Sequence, residues 1–204
     1  VFGDCEEIIL EYNNSSFYPS SIGKKKLNWQ LDKLTDITSD KFVMHNDYDY
    51  LSRRTRKVVN GDETQYIYDQ NKLIGEIIRG QEKIFIYDDN NKLIGFHFYD
   101  NTFFFIRNEM NIIEGIIDLT GKVIARYSYD DFGKLLDVDK IDFKLNDIFY
   151  KGYLYDRETG WYLLNSRFYA PELKRFISPD KVDNLIHGVA DLIQFNLYSY
   201  CDNN

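Results

Sequence analysis

Tyrosine phenols stand directly beside aspartate carboxylates six times in this 204-residue chain: Tyr48-Asp49, Tyr68-Asp69, Tyr87-Asp88, Tyr99-Asp100, Tyr129-Asp130 and Tyr155-Asp156. Such a pair can hold an ion, hydrogen-bond a sugar, or lock a turn by accepting from nearby backbone amides. Spacing decides between these. The first three copies lie 20 and 19 residues apart, which marks a repeated structural unit and not one convergent centre. The other reactive residue types form no constellation. His45, His97 and His187 are scattered without metal-ligand spacing. Ser166 has no Gly-x-Ser-x-Gly context. Gly75, Gly95, Gly121, Gly133 and Gly160 stand singly and form no phosphate-cradling loop. They are expected at turns or strand ends, where left-handed backbone geometry favours glycine. No cofactor and no metal is expected.

The elements that carry these pairs read as strand, turn, strand. Gln65-Tyr66-Ile67-Tyr68 and Ile84-Phe85-Ile86-Tyr87 lead in, polar turns follow, and Leu73-Ile74-Gly75-Glu76 and Leu93-Ile94-Gly95-Phe96 lead out. In each pair the aspartate is expected to fix the turn. Val123, Ala125, Tyr127 and Tyr129 alternate with Ile124, Arg126 and Ser128, so period two places the first set on one face. Asn60-Gly61 between two β-rich runs is a strong hairpin signal. Leu10–Asn13 and Leu27–Gln30 resemble degenerate strands, and Val182 to Gln194 is the one stretch with helical spacing. The fold expected is all-β: a curved antiparallel sheet of stacked hairpins with one short helix near the C-terminus. A two-stranded ribbon cannot bury its apolar face alone, so the hairpins must stack. One domain, 1–204, is expected, made of hairpins over 1–140 and a distinct segment over 141–204.

Composition narrows the function. A net charge of -8 argues against a nucleic-acid partner. The basic cluster Arg53-Arg54-Thr55-Arg56-Lys57 reads as a solvated hairpin strand. No apolar run approaches a membrane-spanning length. Cys5 and Cys201 could pair, but two cysteines make no disulfide framework. The chain opens Val1-Phe2-Gly3-Asp4, with neither a Met nor a signal peptide, as expected of a segment of something longer. Aromatic content of 17%, with Trp29 and Trp161, leaves open a binding module for glycans of a cell wall or host surface.

Specific stretches resemble a known family. Phe105 to Leu136 (FIRNEMNIIEGIIDLTGKVIARYSYDDFGKLL) is similar to the end of the YD-repeat region of RHS proteins. Lys151 to Asp180 (KGYLYDRETGWYLLNSRFYAPELKRFISPD) resembles the RHS repeat-associated core segment, and Asn196 to Asn204 its final motif in clostridial-type members. The resemblance implies a β-sheet that spirals into a hollow shell, as in teneurins and the B–C parts of Tc toxins. It implies a non-enzymatic scaffold that encloses or presents a C-terminal toxin, secreted or at the surface of a Gram-positive bacterium. Partners would be other YD segments or copies at the sheet edges, the toxin cargo, and glycans in the alternative reading. In many members the core segment is also an aspartyl autoprotease, which needs two carboxylates sharing a proton. Asp180 is the candidate for one and Arg175 for charge stabilisation; the second acid is not visible. Ala170 stands where many members carry Asp, and Lys174 where Gly is usual.

Overall fold

The computed structural model describes residues 8–13, 16–139, 145–179 and 198. The expected helix over 182–194, Cys5, Cys201 and Asp180 lie outside the described residues. Fourteen strands form one antiparallel sheet in strict chain order. They are β1 (Leu10–Tyr12), β2 (Pro19–Ile22), β3 (Lys25–Gln30), β4 (Lys33–Thr38), β5 (Val43–Tyr48), β6 (Arg54–Val59) and β7 (Asp62–Asp69). Then come β8 (Lys72–Ile78), β9 (Gln81–Tyr87), β10 (Leu93–Phe98), β11 (Asn101–Arg107), β12 (Ile113–Asp118), β13 (Val123–Tyr129) and β14 (Leu135–Asp139). A second antiparallel sheet follows, also in chain order: β15 (Ile148–Phe149), β16 (Tyr153–Asp156), β17 (Trp161–Leu164), β18 (Arg167–Ala170) and β19 (Arg175–Phe176). We call the first sheet the wall and the second the plug.

The wall curls around the plug. Trp161 and Tyr162 are neighbours in β17, with Cα atoms about 3.8 Å apart. Yet the Lys25 ammonium of β3 sits 5.3 Å from the Trp161 ring, and Tyr162 Oη donates to the Gly133 carbonyl, just past β13, at 2.8 Å. Ten strand spacings separate β3 from β13, about 48 Å in a flat sheet. Only a strongly bent wall brings both to adjacent residues. It is not closed: β1 and β14 are its two edges.

The bend has a visible cause. Pairing registers skip one residue at Ser20, Thr35, Thr55, Ile74, Ile94, Glu114 and Leu136 along one rim of the wall, and at Ile124 at the other. Each is the second or third residue of its strand, and seven of the eight lie at the same rim of the wall. A β-bulge bends its strand and increases local twist, so bulges repeated about every 20 residues on one rim curve the whole sheet. Gly75, Gly95 and Gly115 follow three of these bulges inside strands, which corrects the expectation of turn geometry for Gly75 and Gly95. A Cβ at Gly95 would lie 2.1 Å from the Phe103 carbonyl oxygen of the next strand, and one at Gly115 2.4 Å from that of Ala125. Close backbone approach is what requires glycine there. Gly121, Gly133 and Gly160 do take positive φ. So does Lys174 (φ 56).

Candidate functional site

The repeat tyrosines and the bulges act together. Tyr48, Tyr68 and Tyr87 donate from Oη to the carbonyls of Leu34 (2.9 Å), Arg54 (3.0 Å) and Leu73 (2.6 Å). Each acceptor lies 14 residues back and directly before a bulged residue. A bulge interrupts the ladder and strands backbone groups; the phenol of the next hairpin supplies the partner. Arg107 takes the same place in a hairpin without the tyrosine, donating from Nη2 to the Leu93 carbonyl at 2.9 Å. Burial raises these phenols, Tyr68 and Tyr87 each to about 12, so they stay protonated donors.

The aspartates hold the turns at three of the six sites. Asp49 Oδ1 accepts from the amides of Leu51 and Arg53, both at 3.0 Å. Asp88 does the same for Asn90 and Lys92, and Asp130 for Phe132 and Lys134. Asp69 instead pairs with Lys72 across a tight turn with Gln70 at φ 50, too short for that loop. Tyr99 and Asp100 are themselves the two turn residues of a hairpin, both with positive φ, at the opposite rim. Tyr129 Oη accepts from the Tyr150 amide at 3.0 Å, the point where the plug meets the wall. Tyr155 packs in the plug against Phe149 and Tyr162.

Asp156 does something different, and it corrects the turn role expected of it. Its side chain is buried between wall and plug with 0% exposure. It accepts from Arg54 Nη1 at 2.6 Å and Nη2 at 2.9 Å, and from Lys57 Nζ at 3.1 Å. Arg54 is also 0% exposed, so the basic cluster is a hairpin strand solvated on one face only: Arg54 and Lys57 turn inward while Arg56 stays partly exposed. Arg54 further donates to Tyr66 Oη at 3.0 Å and stacks on that ring at 4.8 Å. Burial alone would raise the Asp156 carboxyl; Arg54 and Lys57 outweigh it and hold its pKa at about 2.

This pair belongs to a seam of charge. Lys83, in β9, contacts Glu76 Oε2 at 3.0 Å and Asp147 Oδ2 at 3.8 Å. Arg157 pairs with Asp147, and Lys57 reaches Glu158 at 3.5 Å. Four cations thus face four carboxylates: Arg54, Lys57, Lys83 and Arg157 against Glu76, Asp147, Asp156 and Glu158. Burial raises Glu76. Burial would also raise Asp147, but Lys83 and Arg157 hold it low. Charges out of water persist only when paired, so the seam fixes one docking position of the plug. A cleft of about 590 Å³ lies toward the aspartate-turn rim, between Tyr68 and Tyr87 of the wall and Leu154 and Leu164 of the plug. Another of about 420 Å³ lies at the opposite end, beside Lys57, Asp147 and Arg157.

The remaining candidates fall apart in space. Arg175 stacks on the Tyr198 ring at 4.1 Å and donates to the Phe176 carbonyl at 3.2 Å. Trp161 is fully buried, with Nε1 on Glu172 at 2.7 Å, so its ring offers no glycan platform. Trp29 is half-buried against Tyr18 and donates to the Pro19 carbonyl. His45 bridges Asp36 (2.7 Å) and Asp47 (3.1 Å) on the wall's outer face. Among the described residues no cluster fits a metal, and no helix is long and apolar enough to cross a membrane.

The comparisons agree with this architecture. The chain is similar to the tRNA3(Ser)-specific nuclease WapA of Bacillus spizizenii and the tRNA nuclease WapA of Bacillus subtilis strain 168. Both are 33% identical over 194 residues, or 91% of this chain. The chain spans only 8% of the length of either relative. It resembles the crystal structure of TcdB2-TccC3-TEV, with TM-score 0.70 and 16% identity over 91% of this chain and 10% of the other. The Photorhabdus luminescens Tc holotoxin pore matches at TM-score 0.67 and 16% identity, over 92% of this chain and 10% of that one. These structures speak for the fold. The teneurin YD-shell model matches residues 30–204, and the chain therefore belongs to the teneurin YD-shell family, as a segment of RHS-type shell.

Proposed function

We propose that this segment is a non-enzymatic closing piece of a toxin shell, whose wall continues through other YD hairpins and whose plug seals one end around a C-terminal cargo. The observation that carries the reading is the seam: a curved wall bonded by buried ion pairs to a sheet filling its inside. That arrangement supports a closing piece of a shell over an open binding face. In this reading residues 1–140 are wall and 141–204 the sealing core segment. The wall's two edge strands, β1 and β14, supply the partner surface, where a further strand can add.

The relatives are named as tRNA nucleases. We assign no nuclease chemistry to this acidic segment and place any such activity in the cargo, with the assembly secreted or displayed at the cell surface. The buried carboxylates support a scaffold role, since each one in the seam faces a cation. Limited proteolysis of the intact gene product, with electron microscopy of the particle, tests the reading. Protease should leave the sequence that follows this segment intact inside a hollow particle. Cleavage of that sequence as fast as an unfolded peptide, or a particle without a lumen, would overturn it.

A further inference from the structure

One group in the seam is oddly placed for a simple ion pair. Lys83 is 1% exposed, and its ammonium lies 5.8 Å and 5.3 Å from the Phe96 and Phe98 ring centroids. Glu76 is 0% exposed, and its Oε1 has no hydrogen-bond partner among the described residues. An ionised carboxylate with one oxygen buried and unbonded is costly. Burial raises the Glu76 carboxyl, so this group can take up and pass on a proton. On the other side of Lys83, 3.8 Å away, stands Asp147 Oδ2, while Asp147 Oδ1 is held by Arg157.

We propose that Lys83 and Asp147 condense spontaneously into an intramolecular amide that covalently joins wall to plug, with Glu76 as the proton carrier. The step balances as ammonium plus carboxylate giving amide plus water. Glu76 Oε2 takes one proton from Lys83, freeing the amine lone pair. Glu76 passes that proton to Asp147 Oδ2, and the lone pair then forms the Nζ–Cγ bond to the neutral carboxyl of Asp147. Charge gathering on Oδ1 in the tetrahedral intermediate is met by the Arg157 guanidinium, as a fixed cation stabilises an oxyanion. Glu76 then takes the second proton from the nitrogen and delivers it to the same Oδ2. The Cγ–Oδ2 bond breaks and water leaves through the cleft that Asp147 and Arg157 line. Glu76 ends in its starting state, and no oxidant or cofactor enters. Fixed proximity of amine and carboxyl supplies the driving advantage that free solutes lack.

The bond would tie positions 64 residues apart, and it is independent of whether a cargo is enclosed. Peptide mapping of the purified intact protein by mass spectrometry tests it. The expected result is a linked pair of peptides about 18 Da lighter than their sum, with no tryptic cut after Lys83. Asp147→Asn should still link, losing ammonia in place of water and so about 17 Da. Glu76→Gln should leave the pair unlinked. Recovery of the Lys83 and Asp147 peptides as separate, unmodified species from the natural protein would overturn the proposal, whatever the variants do.

Discussion

Replacing Asp156 by Asn probes the seam most sharply. The carboxylate accepts three charge-assisted hydrogen bonds, from Arg54 at 2.6 and 2.9 Å and from Lys57 at 3.1 Å. Neutralising it leaves Arg54 wholly buried with no anionic partner, only the amide oxygen at position 156, Asn46 Oδ1 (3.3 Å) and Tyr66 Oη (3.0 Å). Stranding a buried cation in this way costs about 3 to 5 kcal/mol. The carboxyl's own titration gives a lower figure. A fall from 3.8 to about 2 is worth about 2 kcal/mol, and it counts only the gain in the charged over the neutral acid. For a domain of this size each kcal/mol lowers Tm by about 2 to 4 °C, so the variant should melt about 6 to 20 °C lower. The assay is thermal unfolding followed by circular dichroism and by tryptophan fluorescence, since Trp161 sits in the plug. Converting the pair together, Arg54→Met with Asp156→Leu, should recover much of the loss, because no buried guanidinium is left unpaired and Lys57 keeps Glu158 at 3.5 Å. A drop under about 2 °C for Asp156→Asn would refute the claim that the seam holds the layers together.

The remaining predictions are smaller or more local. Tyr68→Phe deletes the 3.0 Å bond to the Arg54 carbonyl and should cost about 1 kcal/mol in denaturant unfolding, with strand content unchanged. Gly95→Ala forces a Cβ to 2.1 Å from the Phe103 carbonyl and should cost well over 1 kcal/mol, whereas Gly61→Ala, with nothing within 4 Å, should show only the strain of its φ of 92°. Asp88→Ala removes the acceptor of two turn amides and should cost about 1 to 2 kcal/mol, with faster hydrogen exchange at Asn90 and Lys92. Acid should weaken the protein through Asp156. Its folded pKa is depressed, so its contribution is full above the ordinary carboxylate pKa and fades as pH falls from about 4 toward about 2. Glu76 is raised and works the other way, weakening the fold as pH climbs through its folded pKa. An unfolding series across this range should show the acid loss in the natural chain and a much flatter response in Asp156→Asn.

Much of the wall could be read from the chain because its information is local. Asn60-Gly61 forms the β6–β7 turn, both with positive φ, as the dipeptide's backbone preference demands. The alternation of Ala125 and Tyr127 with Arg126 and Ser128 does separate buried from exposed residues in β13. The seam was hidden because its two halves lie about a hundred residues apart: Arg54 and Asp156 are 102 positions distant. A cluster such as Arg53 to Lys57 looks solvated when the layer that buries it is out of view. One signal was present. Lys83 falls in phase with Phe85 and Tyr87, on the face that strand alternation turns inward. The bulges were equally silent. Leu73-Ile74-Gly75 and Leu93-Ile94-Gly95 repeat the same three residues, yet glycine there answers a neighbouring backbone oxygen and not its own dihedral angle.

The central claim is that the plug is docked inside the wall, and two amides report on it directly. Ile113 of the wall donates to the Tyr150 carbonyl at 2.6 Å, and the Tyr150 amide donates to Tyr129 Oη at 3.0 Å. Hydrogen exchange resolved to these two positions should find both opening only with global unfolding, at the same free energy as the central strands β7 to β10. Exchange at the rate of exposed loop amides, while β7 to β10 remain protected, would contradict it.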